Sequence, residues 1–144
     1  MMKKVKIKVN NKQKFPDGQK DEISYQGKGE YKYKNGKHYL IYNETNRGLE
    51  DVKTIVRLNE KNNRILLKRA QPKEMRQVFD VKEKCNFLYN LGNHKMRFTT
   101  DTKKLHIETS PQRGEININY DLLQHGEVFT SNQLNIKYSF IDKE

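Results

Sequence analysis

The segment from Asp21 to Glu44 restricts the fold of this chain more than any other. Tyrosines and aliphatic residues occupy alternate positions on both sides of an Asn35-Gly36 pair. Such alternation is typical of half-buried strands. An Asn-Gly pair between two such runs predicts a hairpin, because a type I′ turn needs positive φ at both central residues. A two-residue turn also sets the register, so we expect Tyr31 to face Leu40.

The predicted hairpin has two unlike faces. Side chains alternate across a strand, so residues of one parity share a face. The inner face is expected to carry Tyr31, Tyr33, Leu40 and Tyr42, and the outer face Glu30, Lys32, Lys34 and Lys37. Gly27 and Gly29 lie two positions apart on the inner face, and this spacing predicts a bend or bulge.

Alternating runs continue along the rest of the chain. They predict strands at 3–9, 52–59, 64–70, 75–81 and 85–91, two short strands around 96–98 and 105–107, and a final hairpin of 116–122 with 134–140. A loop is predicted at 10–18, and a loop or short helical turn at 45–51. In the final hairpin the apolar positions of both strands are even-numbered, which a two-residue turn at His125-Gly126 cannot match. A three-residue loop or a bulge near Ser131-Asn132 would restore the pairing.

These runs predict an all-β fold in one domain spanning residues 1–144. Short strands at regular spacing, without an amphipathic helix, are typical of an antiparallel sandwich or barrel. Consecutive hairpins favour an up-and-down meander. Closing the first strand on the last would remove both exposed edges. The sequence therefore predicts an up-and-down β-barrel of about 8–10 strands.

Composition limits the class of protein. The net charge is +11, and nearly all of it lies in residues 1–72. The single cysteine, Cys85, excludes an intramolecular disulfide. The chain has no apolar run near ~18 residues and no signal-peptide pattern, so we expect a cytoplasmic protein that does not bind membranes. His38, His94, His106 and His125 lack metal-ligand spacing, so neither a metal nor another cofactor is predicted.

Ordered short motifs resemble a known family. They are Gly29-x-Tyr31, Asn35-Gly36, 39–42 with Glu44, Gly48-Leu49-Glu50, Thr54, Arg69, Met75-x3-Phe79, Tyr89-x2-Gly92, Thr102-x2-Leu105, the alternating run 114–122, and Leu134-x-Ile136. Their order and spacing resemble the YwiB-like family of small bacterial proteins, a domain of unknown function. The chain departs from that pattern at Ala70 and at Asn90-Leu91. The resemblance implies a calycin (lipocalin-like) barrel and carries no assigned activity.

Two charged residues have the parity of the barrel interior, Glu44 and Arg69. An isolated buried charge is costly, so we expect the two side chains to approach each other. Tyr31, Tyr33, Tyr42 and Tyr120 would add hydroxyls to the same space. One interpretation is a lumen pocket for a small anionic or amphipathic ligand. The other is a structural ion pair, with tyrosines filling the barrel.

A second function class uses the outside of the barrel. Alternating lysines, Lys4, Lys6, Lys8, Lys32 and Lys34, form a basic face that would suit an RNA- or ribosome-associated protein. The same pattern is also typical of a solvated strand face. Outward Ile41, Ile55 and Leu66 leave homo-oligomerisation open. No activated nucleophile or P-loop pattern is present, and the carboxylate pairs Asp21-Glu22 and Glu50-Asp51 are interpreted as solvated charge in turns. No catalytic residue and no enzyme activity are therefore predicted.

Overall fold

The computed structural model describes residues 2–44, 52–70, 74–90 and 94–141. These residues form ten strands, which are β1 (Lys3–Lys14), β2 (Lys20–Lys34), β3 (Lys37–Glu44), β4 (Val52–Asn59), β5 (Arg64–Arg69), β6 (Met75–Asp80), β7 (Cys85–Asn90), β8 (Lys95–Thr109), β9 (Arg113–Gln124) and β10 (Glu127–Phe140). The predicted loop or short helical turn at 45–51 lies outside the described residues.

The ten strands form one closed antiparallel barrel. Each strand pairs with its neighbours in the chain, and β1 also pairs with β10, so the first and last strands seal the sheet. The predicted up-and-down barrel is confirmed, and the sandwich is excluded. Closure pairs the first strand with the last, so neither presents an exposed edge, as the sequence analysis expected.

The central hairpin has the predicted register. Tyr31 pairs with Leu40, and the turn residues have φ of 53° at Asn35 and 79° at Gly36. The ladder between β2 and β3 stops at the pair Gly29–Tyr42, so the rest of β2 pairs with β1 alone among the described strands. A Cβ at Gly29 would lie 2.5 Å from the carbonyl oxygen of Ile41, so only glycine allows this close approach.

The predicted loop at 10–18 is wrong. β1 continues to Lys14, and the turn that follows is short, with the Phe15 amide donating to the Gln19 carbonyl at 2.8 Å. Inward Asn11 pairs with Ile23 of β2 and Leu134 of β10. Polar Asn11 and Gln13 interrupt the apolar alternation and so resemble a loop, although they line the barrel interior.

The two short strands predicted around 96–98 and 105–107 are one strand, β8. A bulge between Thr102 and Lys104 adds one residue, so inward positions change from even numbers, such as Phe98, to odd numbers, such as Leu105. A change of parity resembles a strand break in the sequence.

The β9–β10 hairpin has a two-residue turn together with a bulge between Val128 and Thr130. The sequence predicted either a three-residue loop or a bulge near Ser131-Asn132, and the structure has the bulge, a few residues nearer the turn.

The interior is filled unevenly along the barrel axis. At the end that contains the β2–β3 turn, Tyr31 stacks on Tyr138 with ring centroids 5.7 Å apart and meets Phe140 edge-on at 5.0 Å. Below them lies a core of fully buried aliphatic residues together with the fully buried ring of Phe79. This core comprises Val5, Ile7, Leu40, Val56, Leu58, Ile65, Ile116, Ile118 and Ile136. We call this half the closed half and the opposite half the open half.

Candidate functional site

The open half of the barrel contains a cavity of about 440 Å³. Its apolar walls include Val9, Leu67, Phe87, Phe98, Leu134 and Ile136. Its polar lining includes Tyr25, Tyr42, Glu44, Arg69, Gln77 and Tyr120. Pockets for small molecules typically have volumes of about 300–1,000 Å³ and combine apolar walls with a few placed polar groups. The lumen of this barrel has that character.

The cavity is organised around the fully buried carboxylate of Glu44. Arg69 Nε donates to Glu44 Oε2 at 2.5 Å, and Thr54 Oγ1 donates to the same oxygen at 2.8 Å. Tyr25 OH donates to Glu44 Oε1 at 2.6 Å. The strand register brings these groups together, because Thr54 is the cross-strand partner of both Tyr42 and Arg69. The expected approach of Glu44 to Arg69 is therefore what the structure shows.

The charges and hydroxyls of this cluster influence one another. Burial opposes the charged form of Arg69, but the adjacent Glu44 carboxylate prevails, so the guanidinium pKa is raised. Burial, together with neighbouring Tyr42 and Glu44, raises the pKa of Tyr25 well above its ordinary value. Burial and Glu44 likewise raise the pKa of Tyr42. At neutral pH the cluster therefore holds an ion pair and protonated phenols.

Arg69 keeps one edge toward the cavity. Its side chain is 18% exposed, whereas that of Glu44 is 0% exposed. Arg69 Nη1 lies 3.5 Å from Met75 Sδ, and a thioether is a weak acceptor. A ligand oxygen at this point would be a better partner for the guanidinium than the sulfur is.

A second polar group lies on β1 and β10, where Asn11 and Gln13 also line the cavity. Gln13 Nε2 donates to Asn132 Oδ1 at 3.1 Å, and Asn132 Nδ2 donates to Thr130 Oγ1 at 2.9 Å. The side-chain carbonyl of Asn11 is buried and has no hydrogen-bond partner among the described residues. Burial raises the pKa of nearby Tyr120 to about 12. Polar groups outside the Glu44 cluster therefore also face the cavity.

The predicted lumen residues divide into two sets. Glu44, Arg69, Tyr42 and Tyr120 line the cavity together. Tyr31 and Tyr33 do not, which corrects the expectation that all six share one space. Parity gives the face of a strand but not the level along the barrel axis, and these two tyrosines lie near the closed end.

The closed end has its own hydrogen-bond chain. Tyr31 OH lies 2.6 Å from His38 Nδ1, and His38 Nε2 lies 2.7 Å from Glu60 Oε1. Thr109 Oγ1 donates to Glu60 Oε2 at 3.1 Å. Tyr33 is 58% exposed and meets the His38 ring edge-on. These contacts hold the end of the barrel shut, away from the cavity.

Sequence reasoning omitted two members of the Glu44 cluster. Tyr25 shares inward parity with Tyr31, and Thr54 shares it with Val56, so alternation gave a signal for both. Their roles depend on which carboxylate they reach, and that is decided by the register between strands and not by their own sequence context.

The lysines nominated from the sequence are spread along two paired strands. Lys4, Lys6 and Lys8 point outward from β1, while Lys32 and Lys34 lie at the tip of the β2–β3 hairpin. Lys4 is opposite Glu30 in the register. Lys32 Nζ lies 5.4 Å from the centre of the Tyr39 ring.

The ranges that the structure describes contain neither a metal-binding cluster nor a membrane-spanning helix. In those ranges, no group of three or more His, Cys, Asp or Glu side chains is arranged to hold a metal ion. Over the same part of the chain, no helix has the length and apolar character needed to cross a membrane.

The chain is similar to known proteins over most of its length. Residues 7–136 match the family described as "Domain of unknown function (DUF1934)". The uncharacterized beta-barrel protein YwiB of Bacillus subtilis (strain 168) is 30% identical over 106 residues, which are 74% of this chain and 72% of the relative. The crystal structure of the ywiB protein from Bacillus subtilis matches with a TM-score of 0.86 at 25% identity, covering 98% of this chain and 94% of that chain.

Proposed function

Because this chain belongs to the DUF1934 family, whose description names no activity, we propose a function from the barrel geometry: the open half binds one small amphipathic molecule without catalysis. The family resemblance stated from the sequence is confirmed, and no enzymatic family is indicated. The observation that carries the proposal is the cavity of about 440 Å³, which adjoins a solid core. A barrel that needed only to be stable would gain from filling that space, since voids forfeit dispersion contacts.

The lining favours a ligand with an apolar body. Aromatic and aliphatic side chains, Phe87, Phe98 and Leu134 among them, surround the cavity. Burying a ligand against them gains roughly 25 cal/mol for each Å² of apolar surface removed from water. The polar groups occupy defined places, so they would orient the ligand and determine its specificity.

The polar end of the ligand is better described as a neutral acceptor than as an anion. The carboxylate of Glu44 already neutralises Arg69, so the cluster offers no excess positive charge. An incoming carboxylate would lose its hydration and meet Glu44 nearby. A carbonyl or hydroxyl oxygen could accept from Arg69 Nη1 in place of the Met75 sulfur. Of the two ligand classes expected from the sequence, anionic and amphipathic, these contacts favour the amphipathic one with an uncharged polar end.

The test compares a neutral with an anionic probe of the lumen. We expect a neutral solvatochromic dye such as Nile red to bind one per barrel, with a blue-shifted emission, and the sulfonated dye anilinonaphthalene sulfonate to bind more weakly. Leu122→Trp would place an indole in the cavity and weaken dye binding by about tenfold or more, which is about 1.4 kcal/mol. Leu123→Trp, at the neighbouring position, is the matched control.

Two results would contradict the proposal. One is an equal effect of both tryptophan variants, since Leu122 lines the cavity and Leu123 does not. The other is an absence of dye binding by a barrel whose melting transition remains cooperative. In that case the structural interpretation of the Glu44–Arg69 pair would account for the cluster by itself.

A further inference from the structure

A second site lies on the outer surface of the barrel, along β1, β2, β9 and β10. Five cations point outward on these strands and form what we call the cationic groove, which consists of Lys6, Lys8, Lys28, Arg113 and Lys137. The strand register places them side by side. Lys6 is directly opposite Lys28 on β2, and Lys8 is directly opposite Lys137 on β10.

Like charges at directly opposed positions destabilise a sheet. The groove contains two such pairs in neighbouring rows, Lys6–Lys28 and Lys8–Lys137. Among the described residues, neither the four lysines of the groove nor Arg113 forms an ion pair. The sign of the charge changes farther along the same row, where Glu115 is opposite Lys137 and Glu108 is opposite Glu115, so the repulsion is confined to β1, β2 and β10. Bound negative charge would relieve the repulsion.

The nearby carboxylates already have other partners. Glu60 accepts from Thr109 and lies against His38. Glu115 is directly opposite Lys137, yet its carboxylate accepts from Asn135 Nδ2 at 2.8 Å. Glu108 lies 3.5 Å from His106 Nε2. None of these carboxylates forms an ion pair with a cation of the groove in the part of the chain that the structure describes.

The groove is concave. A depression of about 940 Å³ is lined by the cations Lys6, Lys8, Arg113 and Lys137, and on its far side by the carboxylates Glu60, Glu108 and Glu115. Neighbouring strands are about 4.8 Å apart, so the four strands from β2 to β9 spread the cations over roughly 14 Å. A single phosphate ion cannot contact charges spread over that width, whereas a chain of phosphates can.

We propose that the cationic groove binds the phosphodiester backbone of a nucleic acid strand. The outward residues beside the cations are polar, Gln26, Ser139 and Glu115, and they offer neither the buried aromatic or aliphatic anchor of a protein interface nor a ring for base stacking. A flat lipid surface would not enter a depression. Backbone contacts alone give binding that depends on salt and not on base sequence. This site is independent of the lumen and of its proposed ligand.

The test uses two double variants that each remove two charges. Lys6→Gln with Lys137→Gln breaks both like-charge pairs of the groove, and Lys32→Gln with Lys34→Gln changes the hairpin tip nominated from the sequence. Binding of a fluorescein-labelled single-stranded oligonucleotide would be followed by anisotropy over a series of salt concentrations. We expect the groove variant to weaken binding by about tenfold and to reduce the slope of log affinity against log salt by about 1.4, which is two contacts at ~0.7 each.

The control variant should change affinity by less than about threefold and leave the slope nearly unaltered. The groove variant should also melt no lower than the parent protein, because two repulsions have been removed. Equal weakening by both variants would show attraction to net charge only and would overturn the proposal. So would an absence of oligonucleotide binding at low salt, or a preference for phosphatidylglycerol vesicles that only the groove variant loses.

Discussion

At the scale of single residues, Glu44 explains why the open half of the barrel is polar. A fully buried carboxylate is tolerated only when donors satisfy it, and here Arg69, Tyr25 and Thr54 supply three. Such a pair adds little net stability compared with apolar residues of similar volume. Breaking it by removing one partner is costly. The cluster therefore positions polar groups in the cavity more than it stabilises the fold.

Substituting Arg69 alone should expose this asymmetry. Arg69→Met leaves the Glu44 charge buried without its cation, and we expect a loss of about 3–5 kcal/mol in the free energy of unfolding. The double variant Glu44→Gln with Arg69→Met should recover most of that loss, because no buried charge remains. Urea unfolding followed by circular dichroism measures both values. A single variant that loses less than about 1 kcal/mol would mean that Glu44 is solvated or protonated.

At the scale of strands and turns, bulges decide which side chains enter the barrel. The bulge in β8 moves the inward positions from even to odd numbers, so that both Phe98 and Leu105 face inward. The bulge in β10 allows even-numbered residues of β9 and β10 to face each other after a tight two-residue turn. One extra residue in each strand thus keeps two apolar patterns on the same side of the sheet.

The turn between β9 and β10 can be tested directly. His125 has φ of 54°, close to the 53° of Asn35 in the equivalent position of the β2–β3 hairpin. Asparagine tolerates the left-handed region better than most residues, whereas β-branched residues tolerate it poorly. We expect His125→Asn to raise the free energy of unfolding by about 0.5 kcal/mol and His125→Ile to lower it by about 1 kcal/mol. Chemical denaturation would measure both, and a neutral result for isoleucine would contradict the left-handed conformation.

At the scale of the whole molecule, the barrel is closed by pairing and only partly filled by side chains. The closed half excludes solvent with a continuous aliphatic core, while the open half contains the cavity. Several buried tyrosines lie along this axis, and burial raises the pKa values of Tyr120, Tyr42 and Tyr138. Because burial penalises the phenolate form, these side chains link the stability of the entire barrel to pH.

The expected pH dependence lies in the alkaline range. The folded state holds these phenol protons more tightly than the unfolded chain, whose tyrosines titrate near pH 10. The stabilisation from these tyrosines is therefore fully present below pH 10. It is lost as the pH rises through the pKa values of the folded state, which is about 12 for Tyr120. The contribution of Tyr120 to the free energy of unfolding is on the order of 3 kcal/mol, because its pKa rises by about two pKa units at about 1.4 kcal/mol each. Tyr120→Phe should flatten the fall of the melting temperature above pH 10. Tyr33→Phe, at an exposed ring, is the control, and equal slopes for both variants would refute the linkage.

The sequence by itself determined the strands and the closed meander, because alternation and Asn-Gly turn chemistry are local properties that act over a few residues. It also indicated that Glu44 and Arg69 point inward, since parity is set along each strand. Tertiary structure decided the level of each inward residue along the barrel axis, and so it separated Tyr31 and Tyr33 from the cavity that Tyr42 lines. Register between strands that no two-residue turn joins, such as β1 with β10, depends on pairing between distant segments. No single run of the chain contains that information.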